Sequence, residues 1–419
     1  MATHIACCQD TLALVLRGTV YAGELTGDGV GVRTLPVLEP LPSLPVPVRR
    51  IGAGKGFLGI TTADGELYTW GRNLYGQLGL DFSSSANVTT PTLVRQFVFQ
   101  AGRVQVHDFA GGWDHSVVIT DHGVFACGNN SNGTLGNDEV EGESHRFYPV
   151  KYRDGSLLKN ASCVASGNGH TVLLDGESVC TWGSKDYQCL GKYDITHVRY
   201  PRPLPLYFFG AEDIVYVDAG ECHQAAVSAQ GTVFTWGNGR FYKLGDGNEV
   251  DCTRPTRVLF ERECLETGTP VPHIETVLCG SKCTVMLARD GRVFKAGKRD
   301  DESSRFALPR LLESECVGPV RAAAATSERV FAVDERGALW AWGVDVPFVF
   351  DRELAGAPVH RGVVWRGEHT PMRLDPPEWR SAHALAFAML GHHRLGAGSC
   401  FGMLDVSLLD MILRFLRAW

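Results

Sequence analysis

The chain has 419 residues, 44% of them apolar and 21% charged, with a formal net charge of −7. That balance fits a soluble globular protein and argues against bulk attraction to nucleic acid or an anionic membrane. No run of 18 apolar residues is present and no basic block opens the chain, which argues against a membrane span or a secretory signal. The expected compartment is the cytoplasm, with the nucleus second.

A first strand-like segment begins near Ile5 and reaches a hairpin glycine at Gly18 and an apolar strand at Val20. The second copy of this arrangement is the clearest. Phe57 to Thr62 reads as an apolar strand, Asp64-Gly65 as a tight hairpin, and Leu67-Tyr68-Thr69-Trp70 as the returning strand. Gly71 ends that strand, and Gly76-Gln77-Leu78-Gly79 forms a compact turn. A polar loop, Asp81 to Thr90, then leads to Pro91-Thr92-Leu93-Val94, where proline suggests the start of an edge strand. The glycine-rich segment Gly52-Ala53-Gly54-Lys55-Gly56 reads as a connection between strands, and a phosphate site there is a weak reading.

Copies recur at Val20, Leu67, Val124, Val179, Val233, Val293 and Leu339, at intervals of 47, 57, 55, 54, 60 and 46 residues. Such a period marks supersecondary units that cannot bury their apolar faces alone and must stack. About four strands per repeat is the spacing of a propeller blade. Prolines near Pro36, Pro91, Pro149, Pro203, Pro255, Pro309 and Pro371 mark a fourth strand in each copy. The expected fold is all-β: a seven-bladed β-propeller over residues 1–380. A closing segment and an apolar helix are expected over 381–419.

Three copies carry Gly-x-x-His: Gly112-Trp113-Asp114-His115, Gly167-Asn168-Gly169-His170 and Gly220-Glu221-Cys222-His223. Together with Leu67 to Gly79, these elements resemble the repeat of the regulator-of-chromosome-condensation family. The resemblance covers roughly residues 5–375. It implies a seven-bladed propeller and, for the family's founding activity, nucleotide exchange on the small GTPase Ran and chromatin binding. Those activities are carried by face loops and a basic N-terminal tail, and this acidic sequence shows no basic block there. In plant UV-B photoreceptors, which look similar, successive Gly-Trp-Arg-His sites pair tryptophan with arginine. Here Trp113 stands once and is followed by Asp114. Copies six, seven and one, neighbours in a closed ring, are the most eroded.

No Gly-x-x-x-x-Gly-Lys-Ser/Thr loop, Gly-x-Ser-x-Gly elbow or His-Glu-x-x-His motif occurs, so neither enzyme chemistry nor a cofactor is expected. His115, His170 and His223 come from successive blades and should spread around an arc as buried hydrogen-bonding groups, not converge on a metal. The thirteen cysteines have no zinc-site spacing and read as packing thiols.

The remaining candidates concern partners. Trp113 and Asp114 are one pair. An acidic loop carries Asp138, Glu139, Glu141 and Glu143. Lys298, Arg299, Asp300 and Asp301 replace the Gly-Gln-Leu-Gly turn in copy six. Near the C-terminus, Leu408, Ile412 and Phe415 belong to an apolar helical segment faintly similar to the first helix of an F-box. The expected function is a non-enzymatic protein-interaction scaffold. Guanine-nucleotide exchange on a Ran-like small GTPase is the alternative, and a ubiquitin-ligase adaptor the second alternative.

Overall fold

A computed structural model describes residues 2–8, 11–16, 19–24, 39–40, 47–98, 104–192, 197–260, 268, 270–298, 305–311, 320–325, 330–334, 339–342 and 372–374. These residues form seven antiparallel sheets of four strands, each sheet made from four consecutive strands. The expectations that fall on residues 375–419 lie outside the described residues.

The first strand of each sheet lies innermost. Ala2–Cys8 packs against Val48–Gly54 on one side and against Val320–Ala325 on the other. The remaining inner strands, Val106–Gly111, Ala161–Ser166, Ile214–Ala219 and Ile274–Cys279, complete the ring in chain order. The ring therefore closes by packing first blade on last, with no strand lent between them. An axial cavity of about 240 Å³ is lined from all seven inner strands, for example by Ala6, Ile51, Phe109, Val164, Asp218, Leu278 and Ala323.

The second strands are buried along their whole length: Phe57–Thr62, His115–Thr120, His223–Ser228 and Cys283–Ala288. They read as continuous apolar runs because each blade packs on both faces, unlike a sheet with one wet side. Between blades four and five, Val172, Leu174, Phe209, Ala226 and Trp236 share one core. No blade could keep that surface from water alone, which is why the period is legible in the sequence.

Three sequence expectations need correction. Blade two's outer strand is Ser84–Leu93, so most of the segment read as a polar loop is strand and Pro91 lies inside it. The cause is a bulge. Thr69 faces Thr92, yet Gly71 faces Val88, so the outer strand has two extra residues there. The same jump recurs between Arg202 and Val198 in blade four and between Thr256 and Cys252 in blade five. Pro91, Pro201 and Pro255 fall in these bulges, where no ladder donor is required. Second, the glycine-rich run opening at Gly52 is no linker, because Val48–Gly54 is blade two's inner strand. A Cβ on Gly52 would stand 2.3 Å from the Phe109 carbonyl oxygen of the next inner strand, so only glycine fits. Third, the last strand of blade one is Glu39–Pro40, beyond Pro36.

The antiparallel order sorts the loops. The Gly-x-x-His corners and the turns after Trp-Gly share one face, here the corner face. The tight hairpins and the links between blades share the other.

Candidate protein-binding face

The repeat signature is spent on holding blades together. At each corner the glycine N–H donates to the carbonyl of the residue three on, at 2.9 Å for Gly112, Gly167, Gly220 and Gly280. A Cβ on Gly167 would meet the Gly220 carbonyl oxygen at 2.2 Å and the His170 ring at 2.4 Å. The motif thus packs a ring beneath a corner that touches the next blade. His115 Nε2 lies 3.2 Å from Thr171 Oγ1, and His223 Nε2 lies 2.7 Å from Thr284 Oγ1, each in the following blade. Burial pushes His115 down to about 3, with the His170 charge adding to the effect, and pushes His170 down to about 4. The same desolvation holds His223 well below the ordinary imidazole range. Neutral, buried and spread over three blades, the histidines are structural, as their spacing suggests.

Trp-Gly works across the same seams. The Trp182 indole donates to the Thr134 carbonyl at 2.9 Å, and Trp236 donates to Cys189 at 3.0 Å, each reaching the previous blade's turn. Blade three has Cys127 in place of tryptophan, and its thiol reaches the equivalent Gln77 carbonyl at 3.4 Å. The erosion seen in the sequence therefore keeps the acceptor and changes the donor. Buried among blades, the Cys127, Cys189 and Cys279 thiols are raised well above their ordinary range. Such thiols are poor nucleophiles.

With the signature accounted for, the candidate residues lie between its fixed points. Trp113 occupies the blade-three corner, its N–H 3.3 Å from the Gly167 carbonyl. Lys55 Nζ sits 3.5 Å from the centroid of its indole ring, a close cation–π contact. Asp114 meets Arg72 at 3.2 Å. Burial raises the Asp114 carboxyl above the usual range, against the pull of Arg72 and Lys55. Lys55 and Arg72 were not among the sequence candidates. The available signal was register: Lys55 follows Gly54 as Trp113 follows Gly112.

The acidic loop belongs to the same blade as Trp113 and follows its third strand. Asn130 N–H donates to the Gly142 carbonyl at 2.6 Å, and the Asn130 side chain donates to Asn137 at 3.2 Å. Val140 is buried in the core shared with Leu135, Trp182 and Val198. The loop is thus pinned at both ends and its middle, and it displays Asp138, Glu139, Glu141 and Glu143 outward. Glu139 meets Lys151 and Glu143 meets His145, each at 2.9 Å. Only the Glu143 end of the loop approaches Asp114: Asn129 donates its N–H to the Asp114 carbonyl at 2.8 Å and faces Glu143 across the blade, whereas Asn137 and Glu139 reach Pro149 and Lys151 at the other end of the outer strand. Lys298 is elsewhere: it ends the third strand of blade six, opposite Arg305. Arg299, Asp300, Asp301, Leu408, Ile412 and Phe415 lie outside the described residues.

Two inner-strand carboxyls are also perturbed. Asp218 accepts the Cys279 N–H at 2.6 Å, and burial raises its carboxyl to about 7. Asp108 is also raised by burial, although Arg50 and Arg49 oppose the shift. Among the described residues no three His, Cys, Asp or Glu side chains gather as metal ligands, and no helix is long and apolar enough to cross a membrane.

A closed ring of seven four-stranded blades, with its signature residues buried at the seams, defines a β-propeller. The particular type follows from the Gly-x-x-His corners and the Trp-Gly seams: the chain belongs to the RCC1-like domain family, which matches residues 4–348. It is 30% identical over 305 residues to the human RCC1-like G exchanging factor-like protein, covering 68% of this chain and 63% of that one. It is 26% identical over 306 residues to the human E3 ubiquitin-protein ligase HERC2, covering 70% of this chain and 6% of that one. The chain thus spans less than two thirds of both relatives. The crystal structure of Prp20p from Saccharomyces cerevisiae has the same fold, with a TM-score of 0.61 at 20% identity over 84% of this chain and 83% of that one.

Proposed function

We propose that this chain is a non-enzymatic protein-interaction scaffold of the cytoplasm that seats a partner on its corner face. The observation carrying this reading is an ordered aromatic and charged cluster, Lys55, Arg72, Trp113 and Asp114, on the corner face, with a pinned acidic loop on the same blade. Both are preorganised, so a partner need not order them, and that lowers the cost of binding. A partner matched to this face has a basic rim around an apolar or aromatic contact.

A second reading is exchange of guanine nucleotide on a small GTPase. It is favoured by the name of the human exchanging-factor-like relative and by Prp20p, described with its binding properties to Gsp1p and histones. Propeller likeness alone does not carry an activity across. Two assays separate the readings. On the scaffold reading, micromolar chain leaves the release of labelled GDP from a Ran-type GTPase unchanged; acceleration overturns it in favour of exchange. Capture from the source cell with wild-type chain and with Trp113→Ser/Asp114→Ser should show a protein lost from the variant at unchanged melting temperature. Identical captured sets would reject the face.

A further inference from the structure

The outer perimeter of blades three to five carries arginines interleaved with aromatic rings. Arg153 lies over the Tyr200 ring at 5.6 Å, at the seam of blades three and four. Arg254 lies over the Phe208 ring at 5.4 Å, at the next seam. Tyr200 and Arg254 hold the same register, two residues past the partner of the Trp-Gly glycine. Arg199 and Arg257 are exposed on the same two outer strands. Among the described residues no carboxylate pairs with Arg153, Arg199, Arg254 or Arg257, whereas Arg72, Arg146, Arg289 and Arg292 each hold one.

Between the two stacks a loop projects Leu206 and Tyr207, which are 54% and 74% exposed. The corresponding link of blade two runs from buried Val94 to buried Phe97, whereas here the buried anchors are Leu204 and Phe209, so the loop has two extra residues. The Tyr207 ring is held edge-on to Phe208 at 4.8 Å. Ala211 N–H closes the loop on the Leu206 carbonyl at 3.3 Å, with Ala211 at φ 61°. A left-handed alanine is strained, and such strain concentrates at recognition sites.

We propose that this perimeter docks an acidic polypeptide segment whose apolar residue packs on Leu206 and Tyr207. Guanidinium forks match carboxylates in paired hydrogen bonds, and rings stacked beneath them fix their direction. A polypeptide fits better than a nucleic acid, because exposed Leu206 offers an apolar contact and no plane on which a base could stack. The proposal shares with the scaffold reading the premise that the chain binds proteins, and it adds a second surface.

The test uses the full chain and a fluorescent sixteen-residue peptide of four Glu-Glu-Leu-Glu units, beside its Gln-Gln-Leu-Gln counterpart and a sixteen-nucleotide oligouridylate. The acidic peptide should bind at least about tenfold more tightly than either competitor, with affinity falling as salt rises. Arg199→Glu/Arg254→Glu and Leu206→Ser/Tyr207→Ser should each weaken it about tenfold or more. Arg95→Glu, an exposed change on the blade-two perimeter, should stay within about twofold. These positions are on the surface, and an unchanged melting temperature certifies each fold. Equal binding by the arginine variant, or tighter binding of the oligouridylate, would overturn the proposal. Failure here while the corner-face cluster still captures a protein would overturn this surface alone; no capture by the wild-type chain would overturn the scaffold reading instead.

Discussion

Replacing His170 with phenylalanine should flatten part of the chain's acid sensitivity while leaving the blade intact. Blade two supplies the precedent: Phe57 holds the equivalent corner position and is 1% exposed. His170 Nε2 has no hydrogen-bond partner among the described residues, and the ring's polar contact is with the Asn168 backbone. The change therefore costs about one neutral hydrogen bond, roughly 1 kcal/mol, at neutral pH. Its larger effect is on linkage. Burial lowers the His170 pKa from 6.5 to about 4, so the unfolded chain binds this proton more readily than the folded one. The stability contributed by the neutral ring is complete above pH 6.5 and is lost as pH falls toward 4. Each full pKa unit corresponds to about 1.4 kcal/mol, which gives a loss of about 2 kcal/mol between pH 6.5 and 4.5 for this histidine alone. Urea unfolding followed by tryptophan fluorescence, at half-unit steps from pH 7.5 to 4.5, measures it. The wild-type curve should fall more steeply than the variant's by about that amount. Parallel curves would refute the claim that His170 is held neutral by burial in the seam.

Other consequences follow from the same geometry. Asp218→Asn should stabilise the chain above pH 7 by about 2 kcal/mol, with the gain fading toward pH 4. A carboxyl raised to about 7 is favoured folded when protonated and costs stability as it ionises; thermal melts at pH 5 and pH 8 decide the sign. Gly167→Ala should cost at least about 2 kcal/mol, because its methyl group collides with the Gly220 carbonyl of the next blade; a melting temperature within experimental error of wild type would contradict it. Trp236→Phe should cost about 2 kcal/mol by leaving the Cys189 carbonyl without its indole donor in a closed seam, read from the shift in urea midpoint.

How much of this was visible in the sequence depended on repetition. Strand pairs joined by Gly65, Gly123 or Gly231 recur at one spacing, and a feature required at every seam cannot drift far. Trp70, Trp182 and Trp236 were visible for the same reason, and Cys127 was recognisable as a substitute only because its neighbours kept the frame. The outer strands were harder. Their register is broken by a two-residue bulge at Trp70-Gly71, Trp182-Gly183 and Trp236-Gly237, so Pro91 looked like a beginning when it lies within the strand. Gly52 and Gly54 looked like linker because crowding at a ring axis leaves no local signature; it exists only once Phe109 of the next blade arrives. In the candidate site, Trp113 and Asp114 stood out as unusual residues in a known motif. Their partners Lys55 and Arg72 did not, since a contact between blades is set by register across some fifty residues, not by neighbours in the chain.

The central claim, that a protein partner seats on the corner face, is tested most directly by cross-linking the wild-type chain to proteins of its source cell and mapping the linked lysines. The account predicts links from Lys55, which flanks Trp113, and from Lys185, exposed in the turn after Trp182-Gly183 on the same face, with both lost in Trp113→Ser/Asp114→Ser. Links confined to lysines away from that face, such as Lys159, and unchanged in the variant, would contradict it.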